Sequence, residues 1–225
     1  MNNTFTDSIG FVRDINNNPT ITSPNACYDL KFYQTRETLM DTEEYSAFLK
    51  NAVSNFRHSR TYRHYKEFLY TNGIDHCQFF GNIHKDMVSG KLEMHHSIIT
   101  IFDIAYIICE HVLNTVGSIT TFQLAELIRQ EHIEHRIPLC MLSLTPHQLY
   151  HNEEDFYISP NMVNLFKWDE FLYKYRYGIS QDIAFKILFY LKRAIDEEGL
   201  SNDNKLLNLR NNIISWSNTG ATVRF

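Results

Sequence analysis

The apolar residues of this chain change rhythm several times, and each change predicts an element. Tyr45, Phe48, Leu49, Ala52, Val53 and Phe56 keep the three-to-four spacing of an amphipathic helix. Asp41, with Glu44 three places on, supplies its start signal. A second helical stretch over 62–70 runs into Asn72-Gly73, a usual C-terminal stop. Cys77-Gln78-Phe79-Phe80-Gly81 reads as a tight, knuckle-like turn. Residues 83–96 read as a hairpin turning at Ser89-Gly90. Residues 98–114 are apolar on most faces, which predicts a helix central to the core. A shorter amphipathic helix follows over 121–132, then a continuous apolar run of strand length over 137–144. Thr145-Pro146 predicts another helix start, with Thr145 as cap and Pro146 at the first helical position, where a missing N–H costs nothing. Further helices are expected near 168–177, over 180–198 up to Gly199, and more weakly over about 204–214.

These elements predict a mixed α+β fold, mostly helical, with a small β-hairpin plus helix at its centre. Residues 1–40, rich in Asn, Thr and Pro, read as an irregular arm with at most one short strand. Residues 41–75 form a helical basic segment. The central unit spans 76–155 with a helical insertion at about 98–132, and 156–225 is a C-terminal helical region. No internal repeat or low-complexity block interrupts the chain.

Composition narrows the classes. With 225 residues, 44% hydrophobic and 14% aromatic, the chain can bury a sizeable core. No apolar run reaches the roughly 18 residues of a membrane span, and the polar start has no signal-peptide pattern. Cys27, Cys77, Cys109 and Cys140 are scattered, which fits reduced thiols and a cytoplasmic location better than a disulfide framework. Abundant Asn, Ile, Lys, Tyr and Phe suggest an AT-rich coding genome, hinting at a phage or a low-GC bacterium; for a phage, the compartment is the host cytoplasm. The net charge of −5 argues against coating nucleic acid by bulk electrostatics but not against an enzyme with a basic strip and a metal. That strip is Arg57, Arg60, Arg63 and Lys66, interleaved with Tyr62 and Tyr65. It reads evenly as a phosphate-contacting surface or as a solvated helix face. Glycines are few, and no nucleotide-binding loop is present.

The candidate chemistry lies in two histidine pairs. His95-His96 sits on a presumed strand, and His147 and His151 stand four residues apart on a presumed helix. Residues at that spacing share one helix face, so His147 and His151 can chelate one ion. His95 or His96 can complete the set if strand and helix are neighbours. Three neutral imidazoles favour Zn, Ni, Mn or Co over Mg, leaving positions for water and a phosphate oxygen. The remaining imidazole, with an ordinary pKa of about 6.5, suits a general base. Adjacent strand residues point to opposite faces, so ligand and base share a site only if a bulge or strand end re-aims one of them. Glu131, His132, Glu134 and His135 read as a polar helix end rather than a second metal site.

Leu92-Glu93-Met94-His95-His96 and Leu144-Thr145-Pro146-His147 through His151 resemble the HNH, or His-Me finger, nucleases, nearest the colicin DNase type. The resemblance covers about 76–155. It implies a hairpin-plus-helix site around one divalent metal ion, among Zn, Ni, Mn and Mg. His95, His147 and His151 would be its ligands, His96 the general base, and Glu93 the acidic residue supporting the doublet. It implies hydrolysis of DNA phosphodiester bonds, on duplex DNA as partner, leaving 5′-phosphate and 3′-hydroxyl ends. The chain departs from the family in three ways. No Asn stands on the strand before the helix. About fifty residues separate the two motifs. Each zinc knuckle keeps one cysteine, Cys77 and Cys140, which argues against a four-cysteine zinc. These departures support an alternative: a catalytically degenerate scaffold that binds nucleic acid or a protein partner without cutting. A plain helical interaction protein is a third reading.

Overall fold

The computed structural model describes residues 5–6, 11–13, 19–21, 33–87, 91–152, 158–197 and 203–218. It is a mixed α+β fold, dominated by helices.

The N-terminal region carries more strand than its composition predicts. β1 (Phe5–Thr6), β2 (Phe11–Arg13) and β3 (Pro19–Ile21) pair as an antiparallel sheet. β4 (Gln34–Thr35) pairs with β6 (Ser118–Ile119). Short β-pairing needs few apolar side chains, so the hydrophobic pattern gives little sign of it.

The helices follow their periodicity closely. α1 (Thr42–Arg57) starts at Asp41, whose carboxylate accepts from the Glu43 and Glu44 amides. α2 (Arg60–Thr71) is capped by Ser59. α3 (Ile101–Thr115) and α4 (Thr121–Ile133) both begin with reciprocal capping boxes, Thr100 with Asp103 and Thr120 with Gln123. These exchanges satisfy amides that the first helical turn leaves without partners. α6 (Trp168–Lys174), α7 (Gln181–Glu197) and α8 (Asn204–Asn218) complete the helical body. Its core gathers Phe48 and Phe56 of α1, Ile104 and Ile108 of α3, Ile128 of α4, Trp168, Phe171 and Tyr175 near α6, Ile187 of α7, and Leu209 of α8. Gly178 allows the closest approach in this body: a Cβ there would stand 1.9 Å from the Ile107 carbonyl oxygen.

A second, smaller core surrounds β5 (Leu92–His96) and β7 (Leu139–Ser143). Among the described residues, 83–87 form no strand paired with β5; the turn expected at Ser89-Gly90 lies outside the described residues. β5 pairs with β7, antiparallel, with His95 opposite Cys140 and His96 opposite Leu139. β7 is buried along its whole length, as a continuous apolar run requires. α3, β6 and α4 are therefore inserted between the two strands of one ribbon.

α5 follows β7 directly, at Leu144–Asn152. It starts two residues earlier than expected, so Thr145 is not its cap and Pro146 lies within the first turn. Proline is tolerated there because first-turn amides have no intrahelical acceptor. Strand, strand and helix form a compact ββα unit, with the helix packed on both strands. Among the described residues no helix is long and apolar enough to cross a membrane.

Candidate functional site

β5 presents alternate residues to two sides, and this sorts the predicted site residues. Glu93 and His95 face α5; Leu92, Met94 and His96 face the opposite side. The His95 and His147 rings come together, with centroids 5.2 Å apart and the planes nearly perpendicular. Tyr150 packs edge-on against His95 at 4.3 Å. His147 Nδ1 lies 2.7 Å from a Glu93 carboxylate oxygen. Nδ1–H therefore donates to Glu93, and the ring's lone pair sits on Nε2. A carboxylate behind a histidine in this way fixes the tautomer and aims the other nitrogen, as it does in metal centres. Glu93 was expected to support the histidine doublet; the structure places it on His147.

Two imidazoles bonded to one ion at about 2.0–2.1 Å in a tetrahedral arrangement hold their ring centroids roughly 5 Å apart; the His95 and His147 centroids are 5.2 Å apart. His151 lies on α5, four residues beyond His147. Its side chain falls outside the described residues.

His96 has a different neighbour. Its Nε2 lies 2.9 Å from Nε2 of His132, and both rings are buried. His132 Nδ1 is 2.7 Å from the Ile128 carbonyl oxygen, one turn back on α4. A carbonyl can only accept, so His132 carries its proton on Nδ1 and accepts at Nε2. His96 must then donate from Nε2, which leaves its lone pair on Nδ1. Burial lowers the pKa of His96 well below the ordinary histidine value, and the neighbouring His132, His95 and Arg57 lower it further. Burial likewise depresses His132 to about 4. Both rings are neutral at neutral pH, and His96 Nδ1 is a proton acceptor.

The two sides meet at the end of β5. A cavity of about 270 Å³ is lined by His95, His96, His147, Arg57, Thr100 and Phe102, with Met94 and Ile101. The chain turns sharply there, at Ile98 with φ 76. A β-branched residue is strained in that region, by about 1–3 kcal/mol. The turn leads into the capping box of α3, and so brings Thr100 and Ile101 over the histidines. The strand end thus does what strand alternation alone forbids: it lets a prospective ligand and a prospective base border one space.

The basic strip divides. Arg57 reaches the cavity, with its guanidinium 6.0 Å from the Phe102 ring centre. Arg60 and Arg63 are exposed on α2. Lys66 is half-buried and donates to the Leu92 carbonyl at 2.6 Å, so it ties α2 to β5. Burial lowers its pKa. A buried backbone acceptor, rather than phosphate, claims this ammonium.

The remaining candidates are structural. Glu131 is wholly buried and receives Lys174 at 2.6 Å, the Tyr175 hydroxyl at 2.9 Å and Arg136 at 3.3 Å. With His132 committed to His96, the 131–135 cluster is no second metal centre. His135 stacks among Tyr65, Phe68 and Phe166. Cys77 and Cys140 are buried, and the Ser143 hydroxyl donates to Cys77 Sγ at 3.4 Å.

Sequence reasoning missed the His96–His132 bond and the Glu93–His147 pair. The first joins residues 36 apart through tertiary packing, which no local pattern reveals. The second had a signal: Glu93 and His95 share strand parity, so whatever helix met His95 would also meet Glu93.

Comparison with known proteins adds one match. Residues 2–219 match the family described as Bacteriophage G278-like virion protein. No curated protein and no solved structure matches the chain. The match spans nearly the whole sequence, and the chain belongs to the Bacteriophage G278-like virion protein family.

Proposed function

We propose that this chain is a virion-associated, metal-dependent phosphodiester hydrolase acting on DNA. The observation that carries the reading is the pairing of His95 with His147 on a ββα unit, with Glu93 behind His147. His95 and His147 would hold one divalent ion, with His151 as the third ligand. A bound ion there would supply charge neutralisation at a phosphate oxygen and at the departing oxygen. Among the chain's own groups, Glu93 orients His147, and His96 Nδ1 accepts a proton from a water in the cavity. Arg57 offers a phosphate contact at the rim. Arg60 and Arg63 extend positive charge along α2 and contact backbone without reading sequence.

The test is a plasmid-nicking assay with purified full-length protein in Mn²⁺, Ni²⁺, Zn²⁺ and Mg²⁺. Nicking is expected with at least one ion. His147→Ala should lose both metal uptake and cleavage, and His96→Ala should lose cleavage while keeping the metal. Full cleavage by both variants overturns the assignment.

One observation favours a second reading, a non-cleaving virion component on the same scaffold. His96 is buried against His132, and its depressed pKa makes it a weak base. On this reading the protein takes up metal through His95 and His147 but leaves the plasmid intact with every ion.

A further inference from the structure

We propose that Asp75, His76 and His84 form a second metal site, for a divalent ion of the zinc type, and that this ion clamps the two arms of the 75–85 turn together. The site is independent of the histidines on β5 and α5.

The turn is a tight ribbon. His76 and His84 face each other as an isolated antiparallel bridge. The Cys77 amide donates to the Ile83 carbonyl at 2.7 Å, the Lys85 amide to Asp75 at 2.9 Å, and the Gly81 amide to Cys77 at 2.7 Å. Directly opposed strand residues stand roughly 4.5–5.5 Å apart at Cβ, close enough for two imidazoles to share an ion. The two rings lie 5.6 Å apart. An Asp75 oxygen is 3.3 Å from His76 Nδ1 and 3.9 Å from His84 Nδ1. One ligand atom from each of the three lies within 4.8 Å of the others. Tetrahedral coordination at about 2.0–2.1 Å needs donors roughly 3.3 Å apart. The widest gap must close by at most about 1.5 Å, within the reach of side-chain rotation at the surface. Two imidazoles and one carboxylate suit a borderline ion better than Mg²⁺ or Ca²⁺, which prefer oxygen.

The position gives the ion a task. Gln78 continues the sheet beyond the outer edge of β7: its amide donates to Met141 O at 2.9 Å, and its side-chain oxygen accepts from the Met141 amide at 2.8 Å. The same oxygen accepts from Asn164 at 3.1 Å. Gln78 thereby covers the edge of the strand that precedes the α5 histidine. The ribbon carrying it has a small apolar footing, Ile74, Cys77, Phe79 and Ile83. A ribbon that short gains stability from a metal where its core is insufficient.

The experiment uses full-length protein stripped with chelator and loaded with micromolar Zn²⁺. Equilibrium dialysis counts bound ions, and limited trypsinolysis reads cleavage after Lys85. Zinc should slow that cleavage at least ten-fold in the native protein. The His76→Ala/His84→Ala double variant should bind one Zn²⁺ fewer and lose the protection. His147→Ala should keep the protection while losing its own zinc. If the double variant melts early without metal, the single variant His84→Gln, at an exposed position, carries the test. The proposal is overturned if zinc leaves Lys85 cleavage unchanged in the native protein, or if the variants keep both the ion and the protection. Absence of plasmid nicking alongside intact zinc protection would strike the hydrolase reading and leave this site standing.

Discussion

The helical body and the ββα unit bury polar groups in opposite ways. In the body, the buried carboxylates are closed off. Glu131 is enclosed by Lys174, Arg136 and the Tyr175 hydroxyl; Glu110 receives the Tyr45 hydroxyl at 2.7 Å and Arg36 at 2.9 Å. Both carboxylates thus have their charge matched and their lone pairs used, as burial demands. Around the ββα unit's cavity the polar groups include imidazoles whose tautomers are set by their neighbours. The path Ile128, His132, His96 puts the His96 lone pair on Nδ1, and the bond to Glu93 puts that of His147 on Nε2. The body spends its polar groups on cohesion. The ββα unit orients its own toward a cavity, where they retain the capacity to bind an ion or a proton.

The largest expected effect would break the body. Gly178→Ala drives a methyl group into the Ile107 carbonyl, and backbone cannot yield cheaply. Destabilisation of about 3 kcal/mol is expected, read as a lower midpoint in urea. A wild-type midpoint would show that this contact is not tight in solution.

Acid should strike the other region by a comparable amount. His132 titrates near 4 when folded, against an ordinary value of 6.5. The unfolded chain therefore binds the proton more readily, and the contribution is fully present above about pH 6.5 and declines as pH falls toward 4. The span corresponds to about 3 kcal/mol. His132→Phe should flatten that part of the stability–pH curve. An unchanged curve in the variant would place the acid sensitivity elsewhere.

Opening the Glu131 cluster sharpens the contrast from the body's side. Glu131→Gln keeps the shape but removes the charge that Lys174 and Arg136 face. Both cations are part-exposed and can turn to water, so about 2 kcal/mol is expected, below the cost of a sealed pair. Calorimetric melting at pH 7 measures it, with metal uptake at His95 and His147 unaffected.

The smallest change in stability should accompany the largest change in chemistry. His147→Gln lies at a half-buried position and should shift stability by under about 1 kcal/mol. On the proposed function it should nevertheless remove the zinc that His95 and His147 would hold. A variant that melts several degrees lower without metal would make His147 a packing residue like those of the body.

How far the sequence could be read follows the same division. The helices were legible because their stabilising face repeats locally: the α1 stripe from Tyr45 to Phe56, the start at Asp41, the stop at Asn72-Gly73. The apolar run that became β7 was visible for the same reason, and so was the spacing of His147 from His151. The partner of β5 was not. A five-residue strand accepts any neighbour with complementary edges, and the choice of β7 over residues just upstream depends on which surface the rest of the core covers.

The sequence by itself determined which residues have the chemistry: two histidine pairs, an acidic residue of matching parity, and a basic strip. Tertiary structure alone decided how they combine. It joined strands 43 positions apart at His96 and Leu139, turned Glu93 toward His147 rather than the doublet, and bent the chain at Ile98 so both faces of β5 border one cavity. It also withdrew Lys66 from the basic strip and gave His96 to His132. The physical reason is range. Periodicity and capping act over a turn of helix, whereas the direction of a lone pair depends on whichever partner the folded core brings within 3 Å.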